Sequence, residues 1–189
     1  MIPFALLWRY FCTRKLRFTD RASLEAWQEK RMQAFRRRVL VKSPWFRDYL
    51  ARPFCEWPMM DKTQMMTHFD EMNTAGLQRD ALMACALRSE HNRDFSPKVG
   101  EFSVGLSSGT SGQRGLFVVS PQEQLLWAGA ILAKVLPDGL LAGERVALFL
   151  RADNNLYRRV NNRWLSLEYY DLLAPFQPQL AQLEAQTPT

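Results

Sequence analysis

The stretch that decides the fold runs from Phe102 to Glu123 and has the sequence FSVGLSSGTSGQRGLFVVSPQE. Residues 102–106 and 116–119 are short runs rich in β-branched and aromatic residues, which predicts two strands. Between them, three glycines and four hydroxyl side chains fall within nine positions. Glycine allows close approach of a ligand, and successive N–H groups with nearby hydroxyls form a concavity suited to phosphate oxygens. The stretch therefore predicts a loop that binds nucleotide phosphates.

Two familiar nucleotide motifs do not fit this loop. A Walker loop needs Gly-Lys-Ser/Thr at the start of a helix, whereas Gly112 is followed by Gln113, Arg114 and then a strand. The dinucleotide fingerprint also fails, because Gly109, Gly112 and Gly115 are spaced three apart and no helix follows directly.

The loop also contains a literal Gly-x-Ser-x-Gly match at residues 105–109, which would make Ser107 a hydrolase nucleophile. That fold needs a helix immediately after the serine and a histidine downstream of it. The histidines of this chain, His68 and His91, both lie upstream. We therefore expect both histidines to be structural or surface residues.

Upstream of the loop, the sequence predicts helices joined by short breaks. Asp20 can cap a helix that runs to about Val41 with apolar residues at helical spacing, and its basic end, residues 36–38, complements the helix dipole. Ser43 followed by proline opens a short helix, Asp61 caps another, and a further helix spans about residues 79–91.

Downstream of residue 97, strand and helix patterns alternate. Residues 120–123 form a capping box that starts a helix, residues 146–150 and 164–169 predict strands, and residues 179–185 predict a terminal helix. This alternation favours α/β layering with a largely parallel sheet. We predict a helical region at 1–97 and an incomplete α/β nucleotide-binding portion at 98–189.

Composition bounds the class of protein and its partners. The 47% hydrophobic content is typical of a folded protein, and a net charge of +6 is compatible with binding to nucleic acid, to an anionic surface or to a polyanionic small ligand such as ATP or coenzyme A. Three widely spaced cysteines give neither a disulfide framework nor a zinc site.

The apolar run at residues 2–11 is too short to span a bilayer and lacks the charge order of a signal peptide. We expect a cytoplasmic protein, with an interfacial anchor at this first segment as the alternative.

The loop residues 107–112 are similar to the phosphate-binding signature of the adenylate-forming (ANL) superfamily. The chain most resembles the branch of phenylacetate-CoA ligases and coenzyme F synthetases. Besides the loop, the resemblance rests on the Ser-Pro-aromatic-Phe-Arg segment at 43–47 and the Pro-x-x-Asp-Lys stretch at 58–62. It covers most of residues 20–150 and implies the α/β fold of the large domain of these enzymes.

This resemblance implies a function. Enzymes of the family bind ATP and Mg²⁺, activate a carboxylic acid as an acyl adenylate, release pyrophosphate, and often transfer the acyl group to coenzyme A. Where relatives carry Pro-Lys-Gly, this chain has Gln113-Arg114-Gly115 one residue closer to the loop, so Arg114 stands in for the lysine. The resemblance assigns the β- and γ-phosphates to the following loop residues: Ser107, Ser108, Gly109, Thr110, Ser111, Gly112 and Arg114.

The resemblance also implies that this chain is an N-terminal portion of such an enzyme. The downstream motifs for adenine and ribose and the lysine of a small C-terminal domain have no counterpart here, so no catalytic residue and no metal ligand is assigned. We expect no adenylation by this chain alone, and a second chain could supply the missing domain. Polar residues after the strand at 146–150 are candidates for the rim of the acyl pocket: Asp153, Asn154, Asn155 and Tyr157.

Two other functions stay open. The first is a non-catalytic module that binds a nucleotide or a protein partner. The second is a basic nucleic-acid-binding protein that uses the arginines at residues 36–38, although we expect neither nucleic acid nor a membrane as a partner.

Overall fold

The computed structural model describes residues 3–94, 96–107, 109, 114–151 and 161–189. Within these residues the chain is mixed α/β, which confirms the predicted class at this level. The described α-helices are α1 (Phe4–Lys15), α2 (Arg21–Arg38), α3 (Pro44–Arg47), α4 (Lys62–Thr67), α5 (Phe69–Met72), α6 (Arg79–Asn92), α7 (Pro121–Val135) and α8 (Phe176–Gln186). The described strands are β1 (Lys98–Val99), β2 (Phe102–Leu106), β3 (Leu116–Val119), β4 (Glu144–Leu150) and β5 (Leu165–Asp171).

The strands form two separate sheets. One is an antiparallel sheet in the order β1-β2-β3, and the other is the parallel pair β4-β5, in register from Glu144 opposite Leu165 to Leu150 opposite Asp171. The predicted strands are therefore present, but the largely parallel sheet expected from the alternating pattern is not what the described strands form. Among the described strands, parallel pairing is limited to β4 and β5, since the two strands that flank the glycine loop pair as an antiparallel hairpin.

The predicted helix starts are confirmed by their capping bonds. The side chains of Asp20, Ser43, Asp61 and Ser120 each accept a hydrogen bond from the backbone N–H three residues later. Such a bond satisfies one of the N–H groups that have no partner inside the helix. These local bonds explain why the sequence pattern located the helix starts well.

The chain divides into two compact units that alternate along the sequence. Unit 1 comprises Met1–Leu16, Ser89–Ser103 and Val119–Thr189. Unit 2 comprises Arg17–Arg88 and Val104–Val118. The loop after β2 belongs to unit 2, whereas β4, β5 and their helices belong to unit 1.

The core of unit 1 is formed by α1, α7 and the parallel strands. It consists of the buried side chains Leu6, Tyr10, Ala128, Leu132, Ala133, Leu136, Leu140, Leu165 and Leu167. The two helices approach so closely at Gly129 that a Cβ added there would lie 2.4 Å from the Leu6 carbonyl oxygen. Arg14 extends this contact by donating a 2.8 Å hydrogen bond to the carbonyl of Leu136. The first segment is therefore a packed helix that buries Tyr10, while Trp8 and Phe11 lie on its exposed face.

Unit 2 is held together largely by its short helices. Ser43 is completely buried, and its hydroxyl donates to the carbonyl of Glu71 at 3.0 Å, which ties the start of α3 to α5. The rings of Trp45 and His68 are in contact, with centroids 4.0 Å apart and planes tilted by 34°. Phe69, in α5, is buried. None of the helices in the described part of the chain is long and apolar enough to cross a membrane.

Candidate functional site

Two hydrogen bonds close the base of the glycine loop. The Ser107 N–H donates to the Gly115 carbonyl, and the Gly115 N–H donates to the Ser107 hydroxyl oxygen, both at 2.8 Å. The hairpin ladder is thereby continued for one residue pair beyond β2 and β3. Because a hydroxyl can accept one hydrogen bond and still donate its own proton, Ser107 remains able to donate to a ligand oxygen.

Gly109 and Arg114 pack against each other within the loop. Gly109 has a backbone φ of +70°, and a Cβ at this position would lie 2.7 Å from Arg114 Cγ. Both the left-handed conformation and the close approach of the arginine therefore favour glycine here. The Arg114 Nε–H donates to the Ser107 carbonyl at 3.3 Å, so a fixed positive charge lies beside the first residue of the loop.

The helix α4 lies under the other end of the loop. The Leu116 N–H donates to the Met66 sulfur at 3.3 Å. A Cβ on Gly115 would lie 3.4 Å from Met65 Cε and 3.6 Å from both Cγ and Cδ of Lys62. The first turn of α4 therefore packs directly on the glycine that closes the hairpin.

The structure describes three of the seven residues predicted to bind phosphate. Ser107, Gly109 and Arg114 lie together at the base of the loop, as the contacts above establish. The other four, Ser108, Thr110, Ser111 and Gly112, lie outside the described residues. So do the four candidates for the acyl-pocket rim, Asp153, Asn154, Asn155 and Tyr157, and their roles stay predictions.

We compared the chain with protein-family models, with curated proteins and with solved structures, and nothing matched. The functional argument therefore rests on the residues of this chain. Among the described residues, no group of three or more His, Cys, Asp or Glu side chains is arranged to hold a metal ion. Residues that would bind Mg²⁺ are accordingly not assigned.

The described contacts around Ser107 do not form a hydrolase site. Its hydroxyl oxygen is bound by the Gly115 N–H. His68, the histidine of the same unit, packs its ring against that of Trp45 and has its Nδ1 3.5 Å from Glu71 Oε2. These contacts give His68 a packing role, and they do not make it a base for Ser107.

The basic end of α2 is partly used within the protein. Arg36 donates to the carbonyls of Leu50 and Arg52, the second at 2.9 Å, and its guanidinium lies 5.2 Å from the centre of the Trp57 ring. Through these hydrogen bonds, Arg36 holds the segment that follows α3 against α2. An open groove of about 890 Å³ runs along the same helix, but it is lined by residues of α2 and the segment around Phe54 and by none of the loop residues that the structure describes.

Sequence reasoning assigned no site role to Lys62, although this residue contacts the base of the loop. In the sequence it stands out only as the last residue of the Pro-x-x-Asp-Lys stretch at 58–62. The signal that points to it is a contact between residues 53 positions apart in the sequence, 62 and 115, which the structure gives and local spacing does not.

Proposed function

We propose that the loop between β2 and β3 binds the β- and γ-phosphates of ATP, and that the chain is the phosphate-binding part of an adenylate-forming enzyme that activates a carboxylic acid. The observation that carries this proposal is the base of the loop, where Ser107 closes the hairpin, Gly109 is left-handed and Arg114 lies beside them. Hydroxyls, backbone N–H groups and a guanidinium are the donors that phosphate oxygens accept.

ATP would supply the leaving pyrophosphate that allows a carboxylate to form an acyl adenylate. The residues of this chain would act by position and charge. Ser107 and the other hydroxyls of residues 108–111 would donate to phosphate oxygens, and the amides of Gly109 and Gly112 would do the same. Arg114 would offset the negative charge that grows on the departing pyrophosphate. Mg²⁺ and coenzyme A belong to the proposal through the family resemblance alone.

A direct test is calorimetric titration of the purified chain with ATP and with inorganic pyrophosphate. We expect both to bind and expect the double substitution Thr110→Ala and Ser111→Ala to weaken both by about tenfold or more, because each lost hydrogen bond to a charged group is worth about 1.5–3 kcal/mol. The matched control is Thr67→Ala with Thr74→Ala, which removes two exposed hydroxyls elsewhere in unit 2. Absence of binding by the unmodified chain would overturn the proposal.

Adenylation activity is tested in a separate experiment, the exchange of pyrophosphate into ATP. We expect no acid-dependent exchange of pyrophosphate into ATP by this chain alone, because no residue of this sequence matches the family's adenine- and ribose-binding motifs or its adenylation lysine. Exchange above the background of the Thr110→Ala, Ser111→Ala variant would show that this part of the proposal is wrong.

A non-catalytic module that binds a protein partner is the second candidate. The observation that favours it is the outer face of α1, where Phe4, Trp8 and Phe11 are exposed. In this case a separately encoded polypeptide with adenine- and ribose-binding motifs should co-purify with the chain, and Trp8→Gln should abolish the association.

Nucleic-acid binding is less favoured because Arg36 is engaged within the protein. A steeply salt-dependent affinity of the chain for DNA or RNA would support nucleic-acid binding.

A further inference from the structure

Lys62 is the first residue of α4, and its side chain lies against the glycine that closes the loop. Asp61 fixes the start of the helix by accepting a 2.7 Å hydrogen bond from the Gln64 N–H. The contact of Met66 with the Leu116 N–H holds the same helix to β3. Lys62 Cγ and Cδ consequently lie 3.6 Å from the point where a Cβ of Gly115 would be.

The position of this stem restricts where the ammonium group lies. Nζ is two bonds beyond Cδ, and the Gly115 N–H is itself bound to the Ser107 hydroxyl oxygen at 2.8 Å. Because Cδ lies beside Gly115, the two-bond reach to Nζ keeps the lysine charge near the backbone at the base of the loop. Lysine suits such a place because its apolar stem can pack on the backbone while its compact charge stays at the polar edge.

We propose that Lys62 is a phosphate-binding residue of the loop and donates to the β- or γ-phosphate oxygens of the nucleotide. This inference rests on the proposed function, since it names a further ligand of the same site. Arg114 approaches the loop at Gly109 and Lys62 approaches it at Gly115, so the two cations come from different elements. Two positive charges match the high negative charge of a pyrophosphate group better than one.

The ordinary alternative is that Lys62 only packs on Gly115. Lys62→Met separates the two roles, because methionine keeps an apolar stem of similar length and removes the charge. The matched control is Lys30→Met, which removes an exposed lysine of α2 in the same unit. The probe is inorganic pyrophosphate, titrated into the full chain by calorimetry, with the thermal midpoint of each variant recorded in parallel.

We expect Lys62→Met to bind pyrophosphate about tenfold more weakly than the unmodified chain, since a hydrogen bond to a charged group is worth about 1.5–3 kcal/mol. Its thermal midpoint and that of Lys30→Met should stay unchanged, and Lys62→Arg should retain most of the affinity. Equal pyrophosphate affinity of Lys62→Met and the unmodified chain would overturn the role of Lys62 and leave the proposed loop function standing. Failure of the unmodified chain to bind pyrophosphate would overturn both.

Discussion

Gly129 is the residue where helix preference and packing oppose each other. In the middle of a helix, alanine is favoured over glycine by about 1 kcal/mol. In α7, however, a Cβ at this position would lie 2.4 Å from the Leu6 carbonyl oxygen and 3.0 Å from Arg9 Cβ, and a backbone oxygen cannot move aside as a flexible side chain does. The steric cost should outweigh the gain in preference.

We therefore predict that Gly129→Ala lowers the free energy of unfolding by about 1–3 kcal/mol, the usual cost of overpacking. Urea denaturation monitored by circular dichroism measures this change. Ala130→Gly, one position along the same helix, is the control and should cost only the helix preference of about 1 kcal/mol. A Gly129→Ala protein as stable as the unmodified chain would show that α1 and α7 do not approach as closely as described.

A single ion pair in unit 1 predicts how stability responds to acid. Arg93 donates to the Asp171 carboxylate at 2.5 Å, with the two side chains 38% and 28% exposed. Burial raises the pKa of Asp171, but the hydrogen bonds from the Leu173 N–H and from Arg93 outweigh it, so the pKa lies below its ordinary value. A carboxyl group with a lowered folded-state pKa stabilises the fold above its unfolded-state pKa, and this contribution is lost as the pH falls through the folded-state value.

The thermal midpoint should accordingly fall as the pH is lowered from about 5 towards 2, where the carboxylate becomes protonated. Asp171→Asn should lower the midpoint near neutral pH and flatten this acid dependence. Asp138→Asn, which alters an exposed aspartate of the same unit, should leave the dependence as it is. Parallel curves for the unmodified chain and Asp171→Asn would contradict the assignment.

At the level of elements, the start of α7 shows how local chemistry directs the fold. The Ser120 hydroxyl oxygen accepts from the Glu123 N–H at 3.2 Å, and the Glu123 carboxylate accepts from the Ser120 N–H at 2.9 Å. Ser120→Ala should lower the free energy of unfolding by about 1 kcal/mol, and Ser120→Thr should retain most of the stability because threonine keeps the hydroxyl. Chemical denaturation of the three proteins checks this, and equal stability of the alanine variant would mean that the capping box contributes nothing.

Helix starts and strand pairing differ in how well the sequence predicts them. Helix starts depend on a capping residue and the three that follow it, so Asp20, Ser43, Asp61 and Ser120 were identified from their immediate neighbours. Strand pairing depends on partners distant in the chain, and the alternating pattern suggested a largely parallel sheet where the structure has an antiparallel sheet and a parallel pair. Burial is equally non-local: α2 has apolar residues at helical spacing, yet none of its residues is fully buried.

In the candidate site, too, the sequence predicted the local features but not the contacts between residues that are distant in the chain. The composition and flanking strands of the loop indicated a phosphate-binding site, and the family resemblance assigned Ser107, Gly109 and Arg114 to it. The structure brings these three residues together. The position of Lys62 beside Gly115 could not be predicted, because α4 meets the loop through tertiary packing. The roles of residues 108, 110–112, 153–155 and 157 remain predictions from the sequence.

On the scale of the whole molecule, the outer face of α1 predicts self-association. Phe4, Trp8 and Phe11 are 81%, 62% and 55% exposed, and their spacing puts them on one face of the helix, opposite the side that packs on α7. Contiguous exposed aromatic side chains of this kind favour contact with another apolar surface. In the absence of a partner, the available surface is a second copy of the chain.

We expect sedimentation velocity to show a mass that rises with protein concentration. Replacing all three aromatic residues by glutamine, which retains good helix preference, should restore the monomer without lowering the thermal midpoint, because these side chains contribute little to the core. The control, Leu141→Gln with Leu172→Gln, alters two exposed leucines outside α1 and should leave the association unchanged. A monomer at every concentration would argue that this face is not a contact surface, and it would remove the observation that favours a partner-binding module over a nucleotide-binding one.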